Sequence, residues 1–274
     1  MQFHMLLSSK YTKDEIQVHF EMLCEAYFNY TPAETVLNLD KSLSFEKEAQ
    51  LKAALIALQE NVPIQYIIGT VVFAGLELEV DQRVLIPRPE TEEMVHWLLS
   101  LHKDQTPLRV LDIGTGSGCV AIALKKVRPN WEVTAWDIDL DALVIARNNA
   151  KKHKTTINFE VVDVLAPQLP NNLWDIIVSN PPYVPKSEKT HTAAHVLREP
   201  EHAIFVPDSS PMIFYKHIID YAAEQLNVNG TIYFEGHEPL MKTLDLLLMQ
   251  AGFSDIVLRN DFRTKPRFIR ANYL

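Results

Sequence analysis

The residues best suited to chemistry are Asn180, Pro181, Pro182 and Tyr183, which follow the apolar run from Asp175 to Ser179. An apolar strand here ends in asparagine, and two prolines then hold the backbone in one path. The Asn180 side-chain carbonyl and the Pro181 backbone carbonyl together offer acceptors for both hydrogens of a planar –NH₂ group. Tyr183 adds a flat face against which a planar amide or base can rest. A proline-stiffened loop after a strand has the same composition, so this tetrad needs a second feature beside it.

That second feature lies three strands upstream. Residues 108–118 run from an apolar strand ending in Asp112 through Gly114, Thr115, Gly116, Ser117 and Gly118 into a helix. Three of the eight glycines in 274 residues fall within those five positions. Glycine is costly to order, so the cluster marks a backbone that turns sharply or approaches a ligand closely. A dinucleotide fingerprint wants glycine at 119, where Cys119 stands; a P-loop ending and a hydrolase elbow are also absent. An acidic strand end before Gly-x-Gly-x-Gly suits a cofactor with a sugar and an amino-acid tail, Asp112 serving its ammonium directly or through water. Asp137 ends the next strand and is placed to accept both ribose hydroxyls. Asp139 reads as a helix N-cap. Asp163 and Val164 end the third strand and border the place of an adenine ring.

The elements that must hold these residues alternate after Pro107. Strands are predicted near 108–113, 132–137, 157–162, 174–179, 231–236, 253–258 and 267–272, and helices near 117–127, 139–152, 211–227 and 237–251. Such alternation predicts an α/β fold with a mostly parallel sheet covered on both faces, closed by an antiparallel pair at its edge. Upstream, residues 11–59 read as helical. Thr12 with Glu15, and Thr31 with Glu34, form capping boxes. Phe45, Ala49, Lys52, Leu55/Ile56 and Gln59 recur at helical spacing, with the apolar members expected on one face. Residues 71–73 and 76–80 flank Ala74-Gly75 as a β-hairpin. Residues 86–92 hold two prolines ahead of a helix near 91–101. The expected division is a helical substrate-recognition domain at 1–70, a hairpin and proline-rich connector at 71–90, and a catalytic domain at 91–274.

Composition narrows the class. Lys plus Arg number 26 against 35 Asp plus Glu, a net charge of −9. Residues 1–70 alone hold five basic and nine acidic side chains. That balance weighs against a protein that grips long nucleic acid through its phosphates. Cys24 and Cys119 give neither a disulfide framework nor zinc-site spacing, and the ten histidines form no metal motif, so no metal is expected. His191, His195 and His202 read as solvated loop residues. No apolar run reaches membrane-spanning length and no targeting pattern opens the chain, so a cytoplasmic protein is expected.

With these residues in view, the chain resembles the release factor glutamine methyltransferases, the PrmC/HemK family. The resemblance rests on 112–118, Asp137 and the tetrad, together with Gln65-Tyr66, Gly69, Phe73 and Gly75 of the hairpin region. Residues 85–92 (Leu-Ile-Pro-Arg-Pro-Glu-Thr-Glu), Glu199-Pro200 and Arg267-Phe268 complete it. It implies a class I, Rossmann-like fold with a seven-stranded sheet, using S-adenosyl-L-methionine and releasing S-adenosyl-L-homocysteine. It further implies in-line methyl transfer to N5 of the glutamine in the Gly-Gly-Gln motif of peptide chain release factors. Asp112, Gly114 to Gly118, Asp137, Asp163, Val164 and Asn180 would hold the donor, and Asn180 to Tyr183 the glutamine amide. Relatives often carry an aromatic residue near 164, where this chain has valine, and Glu235-Gly236 departs from their Glu-Ile-Gly turn and receives no role. The rival reading is amino-methylation of adenine in nucleic acid. A non-catalytic binding module and a nicotinamide dehydrogenase are weaker alternatives, disfavoured by the intact tetrad and by Cys119.

Overall fold

The computed structural model describes residues 2–104 and 106–273. They divide into two compact units, one of residues up to 70 with 193–198 and one of 71–192 with the residues from 199 on. The short segment 193–198, expected within the catalytic domain, therefore packs with the first unit.

The first unit holds α1 (Gln2–Leu7), α2 (Lys13–Phe28), α3 (Pro32–Leu37), α4 (Phe45–Gln59) and α5 (Ile64–Ile68). Both capping boxes are present. The Thr12 and Thr31 hydroxyls accept from the Glu15 and Glu34 amides, and each glutamate accepts in return from the threonine amide. The buried face of α4 differs from the expected one. Ala54, Leu55 and Leu58 turn inward with Leu7, Ile16, Leu23 and Ile64, while Phe45 is 89% exposed. Leu51, Ala54, Leu55 and Leu58 keep the three-and-four spacing of a helix stripe, and Phe45 and Ile56 fall outside it.

The second unit begins with the hairpin β1 (Thr70–Phe73) and β2 (Leu76–Glu79), whose tip places Ala74 and Gly75 at positive φ. Next comes α6 (Pro89–Leu101), which starts two residues earlier than expected because Pro89 occupies its first turn, where no amide partner is needed. Then follow β3 (Arg109–Ile113), α7 (Cys119–Val127), β4 (Glu132–Asp137), α8 (Leu140–Lys152), β5 (Asn158–Val161) and β6 (Trp174–Ser179). The two-residue strands β7 (Val184–Pro185) and β8 (Phe205–Val206) pair with each other across three short 3₁₀ turns. The chain ends in α9 (Ile213–Gln225), β9 (Leu226–Glu235), α10 (Met241–Gln250), β10 (Phe253–Asn260) and β11 (Pro266–Tyr273).

Seven strands form the central sheet in the order β10-β11-β9-β6-β3-β4-β5. All neighbours are parallel except β11, which runs antiparallel to β9 and β10. The final strand thus inserts inside the sheet and leaves β10 at the edge. Alternate residues feed two cores, as a sheet covered on both faces requires. Val110, Ile176, Val178, Tyr233 and Phe268 pack with α6 and α7, whereas Leu111, Ile177, Phe234 and Ile269 pack with α9 and α10. Leu111 is fully buried in β3, an interior strand of the sheet. Leu111→Ala should cost about 2–5 kcal/mol of stability, read as a lower urea midpoint at unchanged slope.

Candidate active site

Strand register brings the sequence-predicted residues to one edge. Ile113 pairs with Trp136 on one side and with Ser179 on the other, and Asp137 pairs with Val161. Asn180, Gly114, Asp137 and Val161 therefore stand in a row across β6, β3, β4 and β5, just where the strands end. In open α/β sheets this carboxyl edge, where successive strands diverge to opposite sides, is where ligands sit. A cavity of about 240 Å³ opens there, and its wall includes Gly114, Gly116, Asp137, Asp163, Val164, Asn180, Pro181 and Pro182.

The glycine turn is held on three sides. Gly114, Gly116 and Gly118 all have positive φ, which glycine alone adopts without strain. The amides of Gly114 and Thr115 donate to the Trp136 carbonyl (2.9 and 3.0 Å), and the Gly116 amide donates to Asp137 Oδ2 (2.8 Å). At Gly118 a Cβ would lie 3.0 Å from Ile122 Cδ1 and 3.2 Å from Ala146 Cβ, so the close packing of α7 on α8 also needs glycine. Asn149, fully buried on α8, donates to the Ser117 carbonyl and pairs with both backbone groups of Glu79, tying the turn to the hairpin. Sequence reading missed Asn149, because nothing local distinguishes it from a polar helix residue.

The acidic residues divide into two roles. Asp112 is buried under the turn, where its Oδ2 accepts from the Thr115 hydroxyl (2.6 Å) and the Ala121 amide (3.2 Å). Burial pushes its carboxyl up to about 7, with the two hydrogen bonds opposing the rise. Thr115 and Ser117 are buried with it, so these three shape the turn from beneath. Asp137 reaches the cavity wall instead. Its Oδ1 accepts from the Asp139 amide (3.0 Å), and burial raises its pKa against the pull of its two amide partners. Asp139 caps α8 through the Asp141 amide, and Asp163 holds its own turn by accepting from the Leu165 amide.

Val164 lines the cavity, and Ile138 and Phe214 stand on the same wall. Phe214 brings an aromatic side chain to the cavity lining, where Val164 has none. Its distance along the chain hid it. His202 is exposed, as expected, and stands at the cavity rim with Nε2 3.6 Å from Asp139 Oδ2.

The tetrad is anchored from behind. The Ser179 hydroxyl donates to the Ile113 carbonyl (2.7 Å), fixing the end of β6 against β3. Asn180 Nδ2 donates to Thr91 Oγ1 at 3.0 Å. Tyr183 stacks on His237, with ring centroids 5.8 Å apart and planes 12° apart, and its hydroxyl donates to Glu235 Oε1 at 3.4 Å. Burial raises the Tyr183 pKa, and the neighbouring Glu235 adds to the rise. One face of the ring is thus taken by His237. Further out, Glu199 is buried and accepts from the Ile86 amide and from Arg88, joining the proline-rich connector to the loop between β7 and β8.

Among the described residues, no group of three or more His, Cys, Asp or Glu is placed to hold a metal. No helix among them is long and apolar enough to cross a membrane.

Two family models match the chain: the methyltransferase small domain over residues 94–210 and the PrmC N-terminal domain over residues 5–69. The release factor glutamine methyltransferase of Flavobacterium psychrophilum is 38% identical over 99% of this chain and 97% of its own length. That of Bacteroides thetaiotaomicron is 38% identical over 97% and 96%. Among solved structures, the hMettl16 catalytic domain in complex with MAT2A 3'UTR hairpin 6 has a TM-score of 0.59 at 17% identity. It covers 84% of this chain and 83% of that one, a likeness of fold. Sheet order, glycine turn and near full-length identity converge: the chain belongs to the release factor glutamine methyltransferase family, on a class I S-adenosylmethionine-dependent methyltransferase fold.

Proposed function

We propose that this protein transfers a methyl group from S-adenosyl-L-methionine to the side-chain amide N5 of the glutamine in the Gly-Gly-Gln motif of peptide chain release factors. The supporting observation is the register that sets the Gly114 turn, Asp137 and Asn180 side by side on one cavity. When bound, the donor supplies an electrophilic methyl group on a positively charged sulfur. The new bond joins the amide nitrogen to the methyl carbon, the carbon–sulfur bond breaks, and one amide proton leaves to solvent.

Each residue has a task in this scheme. Gly114 and Gly116 let the backbone approach the donor without side chains between them. Asp137 accepts from the ribose hydroxyls, and Ile138, Val164 and Phe214 form an apolar wall suited to adenine. Asn180 Oδ1 and the Pro181 carbonyl accept from the glutamine –NH₂. A glutamine nitrogen is a poor nucleophile because its lone pair is shared with the carbonyl. Acceptors on both hydrogens favour a pyramidal nitrogen and bind more strongly as positive charge develops there. Holding nitrogen, methyl carbon and sulfur in line supplies about 7–11 kcal/mol of the barrier lowering, more than one hydrogen bond gives.

The first unit, acidic and bearing its own core, is assigned to recognition of the protein substrate. A substrate from translation supports a cytoplasmic site for the reaction. The net charge of −9 disfavours adenine in nucleic acid as acceptor. Mass spectrometry of a purified release factor after incubation with the protein and the donor tests the assignment. One added methyl on the Gly-Gly-Gln glutamine is expected. A methyl on any other residue contradicts it.

A further inference from the structure

Two sequence features have no task so far: Thr91, inside the distinctive 85–92 segment, and Glu235, at the unassigned turn after β9. The fold brings them together behind the tetrad. Thr91 Oγ1 donates to Glu235 Oε2 at 2.6 Å, and Asn180 Nδ2 donates to Thr91 Oγ1 at 3.0 Å. Thr91 is 3% exposed and Glu235 1%. Glu235 is fixed in turn, since its main-chain carbonyl accepts from Tyr215 (2.9 Å) and its Oε1 from Tyr183 (3.4 Å).

Resting on the methyl-transfer reading above, we propose that Thr91 and Glu235 are positioning residues that lock the Asn180 amide in one of its two orientations. The direction follows from the donor and acceptor inventory. A carboxylate only accepts, so the Thr91 proton points to Glu235 and the Thr91 oxygen must accept from Asn180. The Asn180 nitrogen is thereby committed to Thr91. Its carbonyl oxygen is left for the substrate amine. In the flipped orientation Asn180 would present N–H donors to an –NH₂ group, a donor facing a donor. The two residues thus act on the acceptor amide and leave donor binding alone.

Titration gives a second handle. Burial raises the Glu235 carboxyl to about 7, with Thr91 and Arg267 opposing the rise and Glu90 adding to it. The other titratable groups coupled to it are Cys119 of α7, Tyr183 and Tyr215, none of them charged near neutrality. Below that value Glu235 holds a proton, can donate to Thr91, and the chain of hydrogen bonds loses its single direction. Turnover should therefore fall on the acid side.

Thr91→Val keeps the shape and removes the hydroxyl. Turnover on a release factor should drop about 10- to 100-fold, with donor affinity within about twofold, because the lost partner is a buried hydrogen bond behind the acceptor site. Thr91→Ser, which retains the hydroxyl, should recover most of that loss. The acid-side fall should flatten in Thr91→Val, since Glu235 no longer reaches Asn180. Independently of turnover, one Asn180 Nδ2 proton should exchange slowly in nitrogen-15 spectra of the unaltered protein and rapidly in Thr91→Val. Near-normal turnover in a folded Thr91→Val, equal losses in the Val and Ser variants, or fast exchange in the unaltered protein would each overturn the lock. Donor binding without methylation of any release factor by the unaltered protein would instead overturn the methyl-transfer reading, and the exchange measurement would still decide the lock.

Discussion

Asn180→Ala is expected to lower turnover on a release factor by about 100- to 1000-fold, the usual cost of removing one preorganised polar contact from a reacting centre. Donor affinity should weaken only modestly. Asn180 sits on the cavity wall with its nitrogen engaged by Thr91, so on the proposed reading its oxygen is the group that meets the substrate. That contact strengthens as charge develops on nitrogen, so its loss appears in the rate more than in binding. Single-turnover kinetics beside calorimetry of the donor separates the two. A variant turning over at a near-normal rate would remove Asn180 from the reaction.

The second large effect belongs to Asp137→Ala and falls on binding instead. Asp137 supports the glycine turn through Gly116 and the start of α8 through Asp139, and it faces the cavity. On the proposed reading, removing it deletes two charge-assisted bonds to ribose and releases the turn proposed to cradle the donor. Affinity for S-adenosyl-L-methionine should fall at least about 100-fold, since two bonds to a charged group at about 1.5–3 kcal/mol each are lost. Calorimetric titration reads this directly. An unchanged affinity would place the ribose elsewhere.

These two variants test a site whose outline was legible in the sequence for a physical reason. A parallel strand is a nearly continuous apolar run, and its end is marked by the first residue that cannot be buried, so Asp137 and Asn180 announced themselves. The seven strands and the glycine turn followed from the same alternation. What stayed hidden depends on contacts distant in sequence. Thr91 and Glu235 meet across 144 positions, and Asn149 reaches the hairpin across 70. No local pattern encodes such pairs. Phe214 lines the cavity from the start of α9, and no local pattern marked it for the same reason. The inward face of α4 was misjudged because two apolar stripes compete on that helix, and only the tertiary partners Leu7, Leu23 and Ile64 decide between them. The 3₁₀ turns between β7 and β8 have no periodic signal that a short polar segment could show.

The most direct measurement is transfer of a labelled methyl group. The protein would be incubated with radiolabelled S-adenosyl-L-methionine and three acceptors separately: an intact release factor, its Gly-Gly-Gln→Gly-Gly-Ala form, and plain DNA. Label on the intact factor alone is the expected result, and it would establish both the chemistry and the glutamine that receives it. Label on DNA, or equal label on the altered factor, would contradict the assignment of glutamine as the acceptor.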